Sequence, residues 1–112
     1  MAMNTVYAAE EPARAEIDGL EGPAVIEFGT EGCGHCRAVQ PLLASALASH
    51  PRVRHIKIAD GRGRRLGRSF SVKLWPTLIF ICNGKEAARL VRPDDAGTIS
   101  EALALVDVAD CS

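Results

Sequence analysis

The sequence predicts an α/β domain with a central mixed sheet flanked by helices on both faces. Three observations predict it. Two short, nearly continuous apolar runs, Ala24–Phe28 and Thr77–Cys82, suit strands buried on both faces. Apolar residues recur at helical spacing downstream of Cys33, and Asn83-Gly84 is a strong hairpin signal between Thr77–Cys82 and Glu86–Val91. Helices alternating with strands and one closing hairpin make a sheet that carries helices on both sides.

Each element follows from local chemistry. Thr5-Val6-Tyr7 reads as a short edge strand. Glu10–Leu20 reads as a helix, with Pro12 in its first turn, where a missing N–H is harmless, and Gly19 and Gly22 closing it. From Cys33, the positions Cys36, Val39, Leu42, Leu43, Ala46 and Leu47 define a helical stripe that Pro51 ends after His50. Pro41 lies inside that helix and is expected to kink it. Val53–Ala59 alternates with period two, a strand, whereas Gly61–Ser69 is basic and glycine-interrupted, a weak helix or irregular connection. Asp94 and Asp95, or a Thr98-x-x-Glu101 capping box, open a last helix through Leu103, Leu105 and Val106.

The 112 residues fit one domain, 1–112, and 47% hydrophobic content is enough for a core without metal or structural disulfides. The best apolar run, Leu74–Cys82, is too short to cross a bilayer, so no membrane partner is expected. The N-terminus lacks the basic and apolar regions of a secretion signal, which makes the cytoplasm the default address. Net charge is −1, but eight Lys or Arg lie between Arg52 and Lys73 against the single acid Asp60. With only Phe70 as an aromatic there, the stretch lacks base-stacking residues. It is read as solvated surface, suited to an acidic protein partner rather than nucleic acid.

The chemistry is expected at Cys33-Gly34-His35-Cys36, where a buried strand gives way to a helix. Unpaired N–H groups and the macrodipole at a helix N-terminus favour a thiolate, so the Cys33 pKa should fall. Cys36, one turn deeper, is placed to resolve a mixed disulfide that Cys33 has formed. A zinc site is the competing reading of these cysteines. Cys33-x2-Cys36-x13-His50-x4-His55 has a suitable spacing, but Pro51 parts His50 from His55 and the latter falls in a strand. A variant with Cys82 and Cys111 asks a strand end and a chain end to converge. No metal is therefore expected. Cys82 is read as a small apolar residue, Cys111 as mobile and exposed, and His50 and His55 as having no catalytic task.

Glu27-Phe28-Gly29-Thr30-Glu31-Gly32-Cys33-Gly34-His35-Cys36, with Pro41, Trp75-Pro76-Thr77 and Asn83-Gly84, resembles the thioredoxin family over nearly the whole chain. The resemblance implies a thioredoxin-like fold and a thiol–disulfide oxidoreductase needing no cofactor beyond a Cys33–Cys36 disulfide. Cys33 would attack and Cys36 resolve. Pro76 would follow a cis peptide bond, and the backbone at Trp75-Pro76-Thr77, with Gly34, would hold the substrate. Glu27 matches a buried acid that moves the resolving thiol's proton, and burial should raise its pKa. The implied partners are a protein disulfide substrate and an upstream reductase, either thioredoxin-reductase-like or glutathione, with the chain acting as a monomer.

The departures from the family pattern leave the direction of flux open. Gly32 and Gly29 stand where aromatics are usual, and Arg92 where glycine is common beside the substrate groove. His35 gives the Cys-Gly-His-Cys motif of protein disulfide isomerases, whose potential lies about 90 mV above that of thioredoxins. An imidazole beside the thiolate would stabilise the reduced form. A reductase is the reading favoured by compartment; an oxidant or isomerase, and a redox-inert co-chaperone of the same fold, are the alternatives.

Overall fold

The computed structural model describes residues 3–111. The elements are α1 (Arg14–Asp18), β1 (Pro23–Gly29), α2 (Gly34–Leu47), β2 (Arg54–Ala59), α3 (Arg65–Ser69), β3 (Thr77–Cys82), β4 (Lys85–Val91) and α4 (Ala96–Val106). The sheet order is β2-β1-β3-β4, with β1 parallel to β2 and antiparallel to β3, and β4 antiparallel to β3. All seven residues of β1 are buried, as the nearly continuous apolar run predicts for a central strand.

Period-two alternation divides the core in two. Val25, Leu78 and Phe80 pack with Val39 and Leu43 of α2 and Leu103 of α4. On the opposite face Ile26, Phe28 and Ile79 pack with Ile17, Leu66 and Phe70. Glu27 shares the α2 face with Val25 and is the one acid fully buried there. The hairpin turns at Asn83 and Gly84, with φ of 49° and 83°. A side chain at Gly84 would also collide with the Asp18 backbone, so glycine is required twice over.

Three expectations are corrected. Thr5-Val6-Tyr7 is not a strand. The segment runs beside β2, but Asn4 spends its backbone N–H on His55 Nδ1 (2.8 Å), leaving a single backbone bond, Ala8 N–H to Lys57 O at 2.9 Å. The first helix begins at Arg14 rather than Glu10, because the Glu11 carboxylate instead accepts the Arg65 and Leu66 backbone N–H groups (3.1 and 2.8 Å) at the start of α3. Helix α2 passes through Pro41 and ends at Leu47, three residues before His50. The expected cap of α4 is in place at Asp95, which accepts the Thr98 N–H at 3.0 Å.

Candidate active site

Strand β1 ends at Gly29, and the turn that follows delivers Cys33 as the N-cap of α2. The Cys33 sulfur accepts the backbone N–H of Cys36 at 3.1 Å. It is partly exposed, whereas Cys36 is 3% exposed beneath it. Desolvation works against ionisation of Cys33. The Cys36 thiol, the backbone N–H groups of Cys36 and His35, and the positive charge of Arg92 outweigh it and hold Cys33 below its ordinary value. Burial and the neighbouring Cys33 sulfur push Cys36 up to about 12. The two thiols are thus poised in opposite senses, one ready to attack and the other keeping its proton.

Glu27 lies behind this pair in a network that the sequence did not announce. Its Oε1 meets His55 Nε2 at 2.9 Å and its Oε2 accepts from Gln40 Nε2 at 2.7 Å, with Lys57 Nζ at 3.6 Å. A backbone N–H only donates, so the Asn4 bond to Nδ1 selects the tautomer whose proton sits on Nε2, aimed at Glu27. Gln40 Nε2 also donates to the Cys36 carbonyl at 2.8 Å, and its Oε1 accepts from Lys57 at 3.0 Å. Gln40 therefore links the carboxylate to the backbone of the buried thiol. Burial alone would raise the Glu27 carboxyl; the hydrogen bonds from His55 and Gln40 and the charge of Lys57 bring it below 4.5 instead. The expected raised pKa is overturned, and His55, read as a strand residue without a catalytic task, is one of the donors that lower it. Strand parity was the available signal, since His55 and Lys57 share one face of Val53–Ala59.

Tyr7 completes the rear wall. A Cβ on Gly29 would lie 2.6 Å from Cys36 Sγ and 3.1 Å from Tyr7 Oη, so the tyrosine occupies the room that glycine leaves. Burial and the surrounding thiols and acids push its phenol upward. Tyr7, Cys36, Gln40 and Lys57 share a cleft of about 160 Å³.

On the front side the Trp75–Pro76 peptide is cis. The Trp75 carbonyl accepts from Arg92 Nε at 2.8 Å and lies 3.9 Å from Cys33 Sγ. Arg92 adopts φ 50°, a conformation that suits glycine, and its backbone N–H donates to Pro76 O at 2.9 Å. The Trp75 indole donates to Asp60 at 2.9 Å, and a Cβ at Gly67 would collide with that same carboxylate. Trp75 and Asp60 border a cleft of about 620 Å³ with Arg62, Arg64, Arg68 and Lys73.

The expected site residues are not equal. Cys33, Cys36, Trp75, Pro76 and Arg92 converge. Gly34 is exposed at the start of α2. Thr77 is buried, its hydroxyl donating to Leu74 O at 2.6 Å, so it shapes the loop rather than presenting a side chain. His35 reaches Cys33 through its backbone N–H and lines a cleft with Arg92, Pro93 and Asp94. The charge beside Cys33 comes from Arg92. The zinc candidates lie apart, His50 on Asp107 at 2.7 Å and His55 on Glu27, and the described residues hold no cluster suited to a metal.

An acidified, partly exposed thiol over a buried, proton-retaining one defines a dithiol–disulfide exchange centre. The Thioredoxin family model matches residues 5–104. A thioredoxin of Chlamydia trachomatis is 32% identical over 97 residues, 87% of this chain and 92% of that one. Thioredoxin H-type 1 of Nicotiana tabacum is 34% identical over 67 residues, 60% of this chain and 53% of the longer tobacco protein. Among solved structures, thioredoxin 2 from Pseudomonas aeruginosa PAO1 in its reduced form superposes with a TM-score of 0.83 at 55% identity, covering 94% of this chain and 97% of that one. The chain belongs to the thioredoxin family, and with it to the thiol–disulfide oxidoreductases.

Proposed function

We propose that the chain reduces protein disulfides by a dithiol cycle, acting as a monomer in a reducing, cytoplasmic setting. The observation that carries this reading is the opposed poise of Cys33 and Cys36 across the 3.1 Å bond at the start of α2. The Cys33 thiolate attacks one sulfur of the substrate disulfide, and the other sulfur leaves and takes up a proton. Cys36 then gives up its proton and attacks Cys33, releasing the second substrate thiol and leaving a Cys33–Cys36 disulfide. Two causes that raise Cys36, the Cys33 charge and the hydrogen bond to it, vanish once Cys33 is tied in the mixed disulfide. Cys36 is therefore easiest to deprotonate at the step that needs it.

The redox-active disulfide is the only cofactor this cycle needs. An upstream reductase, thioredoxin-reductase-like or glutathione, returns the pair to the dithiol. Gly34, the Trp75-Pro76-Thr77 backbone and Arg92 frame the substrate, and the basic cleft beside Trp75 favours acidic segments flanking its disulfide. No helix among the described residues is long and apolar enough to cross a membrane.

Incubating the reduced protein with a disulfide-bonded protein substrate tests this. Substrate thiols should appear in step with loss of the Cys33 and Cys36 thiols, and Cys36→Ser should trap a mixed disulfide at Cys33. Retention of both thiols beside an intact substrate would rule the reading out.

A further inference from the structure

The chain holds a second cysteine pair. Cys82 ends β3 and Cys111 follows α4, and both are unbridged. Cys111 is fully buried, contrary to its expected exposure, and Cys82 packs against the same core. Both side chains belong to one core cluster, and the Cys82 sulfur lies close enough to act on the Cys111 thiol. The tail is seated by Arg52 Nη2 donating to Cys111 O at 2.7 Å and by Asn83 Nδ2 donating to Asp110 O at 3.3 Å. Cys82 is the more exposed of the two. One sulfur accessible and one sheltered against it is the same division of labour seen at Cys33 and Cys36.

The location makes the pair independent of the active site. Cys82 pairs with Pro23, at the opposite end of β1 from Cys33. Seven strand residues at about 3.3 Å each put roughly 20 Å between the two centres, too far for exchange within one molecule.

We propose that Cys82 and Cys111 form a second redox site, a dithiol that closes to an intramolecular disulfide when it meets a low-molecular-weight disulfide and so ties the C-terminal segment to β3. Cys82, as thiolate, attacks one sulfur of the small disulfide, whose S–S bond breaks and whose first thiol leaves. Cys111 then loses its proton and attacks the Cys82 sulfur, expelling the second thiol. Two electrons pass from the cysteine pair to the small disulfide, whose two halves leave as thiols. Burial and the contact with Cys82 push the Cys111 thiol up to about 11, which assigns the first attack to Cys82 and makes closure the slower step.

The test uses the full chain carrying Cys33→Ser and Cys36→Ser, with folding checked by circular dichroism, treated with glutathione disulfide. Expected are loss of both remaining thiols, a mass lower by two hydrogens, a monomer on a non-reducing gel, and full recovery with a dithiol reductant. A further Cys111→Ser change should stop the reaction at a glutathione adduct on Cys82. Peptide mapping of the oxidised unsubstituted protein gives a check that no variant can spoil, and should show a Cys82–Cys111 link. A lasting adduct on one cysteine while the other stays a free thiol, a covalent dimer, or two unreacted thiols would overturn the proposal. None of these outcomes bears on Cys33 and Cys36.

Discussion

Replacing His55 by phenylalanine keeps a ring in the buried slot and removes one of the hydrogen bonds that Glu27 accepts. The bond is 2.9 Å long and joins two side chains that are 1% and 0% exposed, so water cannot replace it. A hydrogen bond to a charged group contributes about 1.5–3 kcal/mol, which converts to a rise of about 1–2 units in the Glu27 pKa. The sign for stability follows. Because the native carboxyl is held below 4.5, its contribution is complete above that pH and is lost as pH falls through the native pKa. In His55→Phe that contribution shrinks, so the variant is less stable at neutral pH and the gap from Glu27 narrows on acidification. A carbon-13 NMR titration of the Glu27 carboxyl reads the shift directly, with urea denaturation at neutral and acid pH as companion. A folded variant whose Glu27 midpoint stays in place would refute the assignment of His55 as donor.

Three other outcomes follow from the same geometry. Arg92→Ala should raise the Cys33 pKa by about half a unit, read from thiolate absorbance and alkylation rate, since the lost interaction is solvent-screened. Gly29→Ala places a carbon 2.6 Å from Cys36 Sγ, and should destabilise the fold by about 1–3 kcal/mol in urea unfolding. Reversing Arg62, Arg64 and Arg68 to glutamate should raise KM for an acidic disulfide substrate, more so at low salt, while leaving a neutral one unaffected; an equal rise for both would remove the basic cleft from substrate choice.

The strands were legible because β1 and β3 are nearly continuous apolar runs and Asn83-Gly84 specifies its turn without help from the rest of the chain. The Cys33–Cys36 centre was legible because its chemistry depends on local geometry, a strand end passing into a helix N-terminus. What the sequence hid were interactions made by distant segments. Thr5-Val6-Tyr7 looks like an edge strand until His55 takes the Asn4 N–H and Tyr7 is placed beside Cys36 and Gly29. Glu11 looks helical until α3 presents its N–H groups. The direction of the Glu27 shift depends on Gln40, His55 and Lys57 arriving from two elements, and burial, the one cause visible in the sequence, points the other way. Cys111 looks like a loose end because nothing near it in sequence reveals Arg52 and Asn83.

The central claim is that Cys33 and Cys36 are a reversible dithiol poised for reduction. Equilibrating the protein, with Cys82 and Cys111 replaced by serine, against graded ratios of reduced to oxidised glutathione tests it most directly. Thioredoxins as a class lie near about −270 mV and protein disulfide isomerases near about −180 mV. His35 serves Cys33 through its backbone N–H and the positive charge beside the thiol comes from Arg92, so the account predicts a midpoint close to the former. A midpoint near the isomerase value would contradict the reductase reading, and a pair that forms no reversible disulfide would contradict the account as a whole.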